Sequence, residues 1–249
     1  MNKADELDSH GEMGILEHLE ELRRRLIHSI AIVLSCSFIA YCFADDIFNF
    51  LAKPLLEILP EMQNKMVFTS LPEVFFVHIR LAFFSGIFIA VPFLLYQLWK
   101  FVVPALHKEE KKLLVPFLFL SILLFITGAI FCYQLVLPWG FTFFLSYSSE
   151  VIIPMITLTD YFKLTTRLIL VFGTIFEMPV LSAFLSRLGL LSPTWLRERR
   201  RYVIVIIFII AAFLTPPDAV TQIMLAVPML LLFELSIWTA VFFRRNRSG

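Results

Sequence analysis

The sequence predicts an all-α membrane protein: six transmembrane helices in one concave bundle, with the last two helices short. Three observations carry that prediction. Of the 249 residues, 59% are hydrophobic, including 28 phenylalanines, well above the apolar share of a soluble domain. The mean hydropathy of +0.84 comes from long apolar runs that recur along the whole chain. Basic residues are also unevenly placed: sixteen of the 21 lysines and arginines fall in the N-terminal segment, 100–112, 187–201 and 244–247. With six spans, those four places share one side of the membrane, and the positive-inside rule makes that side, and both termini, cytoplasmic.

Residues 1–14 are polar and read as a mobile lead-in, with no apolar core of a cleavable signal. Residues 15–243 read as one domain, and 244–249 as a basic tail. From Ile15, a stripe of Ile15, Leu16, Leu19, Leu22 and Leu26 recurs at helical spacing, with Glu17, Glu20, Glu21, Arg23, Arg24 and Arg25 on the other faces. It predicts an amphipathic surface helix that runs into a first span over 26–44. Asp46 is the expected cap of a short helix on the far surface, with Ile47, Phe48, Leu51 and Leu55 on one face and a distortion at Pro54. Ser70-Leu71-Pro72-Glu73 matches a capping box and opens the second span, to about Trp99, with a kink at Pro92. The third span covers 113–137 and holds no charge; a loop over 138–160 follows.

Thr159 or Asp160 is the expected cap of the fourth span, and Ser192 that of the next helix, with Pro193 at its first position. Residues 202–214 give a fifth span of only about 20 Å at the helical rise. That is too short for an undisturbed bilayer of about 30 Å. Asp218 is placed to cap the sixth span, with Gln222 one turn in, so the tip of this hairpin is expected to thin the bilayer.

No HExxH, GxSxG, GxGxxG or P-loop pattern occurs and the five histidines do not cluster, so neither catalysis nor a metal or cofactor site is expected. Cys36, Cys42 and Cys132 fall within spans and read as small apolar packers. One carboxylate stands out. Glu177 lies in the apolar run 168–188, with Arg167 and Arg187 each about 15 Å away along the helix. Such a group must face protein or water, and Pro179 just after it predicts a bend. Acids also sit among the basic residues of the cytoplasmic side: Glu20 and Glu21 before the first span, Glu109 and Glu110 before the third. Taken alone, these are solvated charges and intrahelical pairs, or an anionic site for an arginine-bearing ligand. Carboxylates on neighbouring helices select Arg-Arg over Lys-Lys, because guanidinium forms two parallel bonds to a carboxylate.

Four stretches together resemble the TatC family of the twin-arginine protein translocase. They are His18-Leu19-Glu20-Glu21-Leu22-Arg23-Arg24-Arg25-Leu26, Pro104-Ala105-Leu106 through Glu110, Phe172-Gly173 through Glu177-Met178-Pro179, and Leu214-Thr215-Pro216-Pro217-Asp218 with Gln222. The resemblance runs in order over 15–243 and implies a signal-peptide receptor in the cytoplasmic (inner) membrane. Such a receptor binds twin-arginine signal peptides of folded cargo, works with TatA- and TatB-type single-span partners, and uses the protonmotive force. It implies a recognition patch of Glu21 and Glu110, with Arg23, Arg25, Phe101 and Leu106 around it. Glu20 and Glu109 are extra acids able to share the role. Glu177, Asp218 and Gln222 fall to intramembrane polar and partner contacts. Self-association is compatible with the family, and nucleic acid has no place in it. The competing reading is a proton- or ion-coupled secondary transporter using Glu177, which requires a charged partner opposite it and commonly an internal repeat.

Overall fold

A computed structural model of the chain describes residues 3–59, 66–102, 114–149, 154–215 and 218–243, with side chains from residue 19 in the first helix and up to residue 100 in the third. Ten α-helices occur among the described residues: α1 (Lys3–Tyr41), α2 (Ala44–Leu56), α3 (Glu73–Val102), α4 (Leu114–Phe131), α5 (Leu137–Leu145), α6 (Leu158–Phe176), α7 (Met178–Arg187), α8 (Pro193–Glu198), α9 (Arg200–Leu214) and α10 (Ala219–Phe242). Five stretches are long and apolar enough to cross a membrane: α1 from Leu19, α3, α4 with α5, α6 with α7, and α10. Helices are what hydrocarbon demands, since each satisfies its own backbone polar groups.

The first helix is continuous from Lys3, through the stretch expected to be a mobile lead-in. It packs on α3 where Gly86 meets Ser37: a methyl on Gly86 would press on Ser37 Oγ and lie 2.5 Å from Ser37 Cα. Small residues let two backbones approach this closely, which is how helices associate in lipid. The same device sets α4 against α6, where Gly128 abuts the carbonyl of Phe172 and Gly173 abuts the ring of Phe125.

Several boundaries differ from the sequence reading. Phe43, not Asp46, is the cap residue of α2, and Asp46 lies inside its first turn. Thr157, not Thr159 or Asp160, caps α6, its hydroxyl oxygen accepting from the Asp160 amide at 3.2 Å. The third span does not stop before Pro138. A π-helical turn over Cys132–Val136 joins α4 to α5, so the helix continues to Leu145 with Pro138 in the first turn of α5. Proline is tolerated there because the wider turn already breaks the regular hydrogen-bond register. The helix breaks at Glu177, two residues ahead of Pro179, as the expected bend requires. The expected fifth span, α9, is short, with 15 residues, but α10 has 24 and needs no thinned bilayer of its own.

Proline also explains how α2 is held. Pro54 has no N–H, so the carbonyl of Phe50, four residues back, loses its helical donor. Tyr133 Oη of the π-helical turn donates to that carbonyl at 2.7 Å, and its ring stacks on Phe50 at 4.8 Å. Tyr161 Oη of α6 donates to the neighbouring Leu51 carbonyl at 2.6 Å. Tyr133→Phe is expected to lower thermal stability by about 1 kcal/mol, read as an earlier melting midpoint in detergent, because it leaves the Phe50 carbonyl unpaired.

On the same far side, Glu73 does more than close a capping box. Its Oε2 accepts from Thr69 N at 2.6 Å and Ser70 N at 3.4 Å, while Oε1 accepts from Thr159 N at 3.0 Å. One carboxylate therefore ties the start of α3 to the start of α6, beside a parallel bridge between Val67 and Thr157.

Candidate functional site

The sequence points to two places, a charged rim and a deep acid. At the rim, α1 brings Glu21 and Arg25 onto one face, four residues apart, at the end of α3. Arg25 donates from Nε at 3.1 Å, and from Nη2, to Glu21 Oε1. Its third nitrogen, Nη1, donates to Gln97 Oε1 of α3 at 3.1 Å. Arg25 is the more buried partner, with 14% of its side chain exposed against 34% for Glu21. Arg25 thus acts as a strut between helices, with Glu21 at the more exposed end of the pair. Glu20 and Arg23 are exposed on other faces of α1 and are not drawn into this contact.

Phe101 belongs to the last turn of α3, while Leu106, Glu109 and Glu110 lie outside the described residues. Around the end of α3, Trp99 is buried against Phe184 and Phe117, with ring centroids 4.4 and 6.2 Å away.

The deep acid sits at the joint between α6 and α7. Glu177 is 5% exposed, and both carboxyl oxygens are buried without a hydrogen-bond partner among the described residues. The Ser121 hydroxyl of α4 lies beside it, itself fully buried and without a hydrogen bond among the described residues. Its helix is fixed on the other side. Ser182 of α7 donates to the Ser236 carbonyl at 2.8 Å and Ser186 to the Ala240 carbonyl at 2.7 Å, both on α10. Thr239 adds a bond to the Pro179 carbonyl at 3.0 Å. An unpaired polar group in such a rigid setting costs a few kcal/mol and marks a functional site by default. Among the described residues no cation pairs with Glu177, so the arrangement that ion coupling requires is not formed there.

The other predicted polar residues are spent within the chain. Asp218 caps α10, accepting from the Thr221 amide at 2.7 Å. Gln222 Nε2 donates to the Phe208 carbonyl at 2.9 Å and so ties α10 to α9. Arg167 donates to the Phe213 carbonyl at 3.2 Å and satisfies the end of α9. Glu234 pairs with Arg200 at 2.7 Å. The residues that sequence reasoning missed are Gln97, Ser121 and Trp99. Each is unremarkable in its own segment, and only Gln97, on the face of α3 one turn before the basic run, carried any polar signal.

Comparison with known proteins follows this geometry. The family model for the Sec-independent protein translocase protein (TatC) matches residues 17–228. The chain is 42% identical over 233 residues to the Sec-independent protein translocase protein TatC of Desulforapulum autotrophicum, covering 94% of this chain and 86% of that one. It is 38% identical over 230 residues to the TatC protein of Haemophilus influenzae, covering 92% of this chain and 90% of that one. Its fold is similar to a crystal structure of a twin-arginine translocase receptor, TatC, with a TM-score of 0.84 and 39% identity, over 92% of this chain and 100% of the other.

Proposed function

The chain belongs to the TatC family of Sec-independent protein translocase proteins, and from that premise we propose that it is the receptor for twin-arginine signal peptides. It is a multi-pass membrane protein and a translocase component rather than an enzyme. In the proposed mechanism, Glu21 and Glu110 receive the two guanidiniums of the signal at the cytoplasmic surface of the inner membrane, where both termini lie. Glu20 and Glu109 add negative charge beside them, and Phe101 and Leu106 receive the apolar residues that follow the arginines.

One observation supports this reading above the others: Glu21 already holds a guanidinium through two of its nitrogens, with about a third of its side chain exposed. The carboxylate is thus in a setting that suits the ligand chemistry. The test is photo-crosslinking of two peptides that differ only in Arg-Arg against Lys-Lys, with the probe placed near residues 21 and 110. Labelling by the Arg-Arg peptide alone is the expected result, and equal labelling by both peptides overturns the reading.

The second part of the mechanism concerns partners. Glu177 offers a hydrogen bond in a low-dielectric setting to a polar group on a single-span partner of the TatA or TatB type. The α9–α10 hairpin, held by Asp218 and Gln222, forms the adjoining wall. Protonmotive force then acts on the assembled complex, in which further copies of this chain are included.

Glu177→Leu is expected to separate stability from function. Removing an unpaired buried carboxyl stabilises the isolated chain by about 1–3 kcal/mol. The same change weakens co-purification of single-span partners several-fold. Thermal melting and quantitative pull-down, run on the same preparation, read the two effects. A variant that is less stable, or that retains partners fully, sinks the assignment.

A further inference from the structure

The run Arg197, Arg199, Arg200 and Arg201, at the elbow between α8 and α9, divides into two unlike groups. Arg200 reaches across to α10 and pairs with Glu234 at 2.7 Å, each side chain just under half exposed. Arg199 and Arg201 instead flank one aromatic ring, their guanidinium carbons 5.6 and 4.9 Å from the centroid of Tyr202. Arg199 also lies 5.9 Å from the ring of Trp195, and Arg201 donates to the Tyr202 hydroxyl at 3.1 Å. Among the described residues, no carboxylate pairs with Arg197, Arg199 or Arg201.

Two guanidiniums held within about 11 Å of each other by one ring, with no carboxylate paired to either among the described residues, offer converging donors to an anion lying between or over them. The surroundings indicate which anion. Trp195 and Tyr202 are about half exposed, with Pro193 and Leu196 of α8 buried beneath them. Tryptophan and tyrosine of this amphipathic kind settle at the headgroup level of a bilayer. From Tyr202 onward α9 exposes Val205, Ile206 and Ile209, an acyl-chain surface directly continuous with the cations.

We propose that Arg199 and Arg201, with Arg197 beside them, form a binding site for the phosphate of an anionic phospholipid whose acyl chains lie along the exposed face of α9. The site holds the short α9 at a fixed depth, with the headgroup gripped at one end and Arg167 closing the other. This inference goes beyond the receptor reading. It needs only that the chain is embedded in a membrane.

The experiment uses the purified full-length chain, equilibrated with equal amounts of phosphatidylglycerol and phosphatidylcholine of matched acyl chains, with retained lipids counted by native mass spectrometry. The unaltered chain retains phosphatidylglycerol in clear preference. Arg199→Gln with Arg201→Gln reduces that preference by about fivefold for each cation removed. Arg199→Lys with Arg201→Lys keeps most of it, which guards against a glutamine variant that fails to fold. Arg200→Gln, which breaks only the pair with Glu234, leaves the preference intact while lowering the melting temperature. Inorganic phosphate at millimolar concentration does not displace the lipid. Equal retention of the two lipids by the unaltered chain overturns the proposal. So does an unchanged preference in a folded glutamine variant, as expected if the guanidiniums serve a carboxylate of this chain or of a partner, or full displacement by free phosphate.

Discussion

A chain carrying Glu21→Gln together with Glu110→Gln is expected to lose its preference for an Arg-Arg peptide over a Lys-Lys peptide, with binding of the Arg-Arg form falling by about 100-fold or more. The magnitude follows from two charge-assisted hydrogen-bonded pairs of about 1.5–3 kcal/mol each, at about 1.4 kcal/mol per factor of ten. Glutamine preserves the shape of each side chain, so the loss isolates charge. Binding of the Lys-Lys peptide falls much less, because an ammonium is a point charge that gains little from a second, parallel contact. Each single variant loses about one factor of ten or a little more. If Glu20 or Glu109 shares the load, its glutamine variant deepens the loss only when the neighbouring Glu21 or Glu110 is already replaced. A competition assay with labelled Arg-Arg peptide on the purified chain measures all of these. Undiminished discrimination in the double variant removes the patch from the mechanism.

Gly86→Ala is the second change expected to have a large effect, and it acts far from any charge. Its methyl meets Ser37 Oγ and lies 2.5 Å from both Ser37 Cα and Ser37 N, so α1 must move away from α3. Overpacking of this kind costs about 1–3 kcal/mol. Here the consequence is concentrated, because only 6% of the spanning window of α1 is buried in the chain. Separating the two helices also pulls Arg25 from Gln97 and so moves Glu21, the predicted receptor carboxylate. The expected outcome is a lower melting temperature together with weakened Arg-Arg binding, although no recognition residue has been touched. Ser37→Gly does not restore the packing, since two of the three close atoms are backbone. A Gly86→Ala chain with unaltered melting and binding shows that α1 is held by other contacts.

Rim and deep acid differ in how far the sequence reached. Glu177 was legible because cost and position are both written along the chain: one carboxyl, a long apolar run, no cation within reach, and a proline just beyond. Its burial follows from that arithmetic alone. Ser121 was not legible as its neighbour, since a serine in α4 is indistinguishable from any small packing residue until α4 and α6 are brought together over Gly128 and Gly173. At the rim, Glu21 with Arg25 could be read from helical spacing, but Gln97 lies 72 residues away and joins only across the α1–α3 contact. The boundary errors have the same origin. At the start of α6, Thr157 caps the Asp160 amide while Glu73, 86 residues earlier, takes the Thr159 amide, so two of the helix's first donors are satisfied from outside the expected cap positions.

By itself, then, the sequence determined the all-helical membrane class, the rough extent of the apolar helices, the shortness of α9 and the isolation of Glu177. These depend on hydrophobicity, helical period and proline geometry, which act between residues close along the chain. Tertiary structure alone decided which groups answer the leftovers. Tyr133 takes the carbonyl freed by Pro54, Arg167 closes α9, and Arg200 turns to Glu234 while Arg199 and Arg201 stay outward. Inside hydrocarbon every such orphan needs a partner, and helix packing, not sequence proximity, determines which partner comes within about 3 Å.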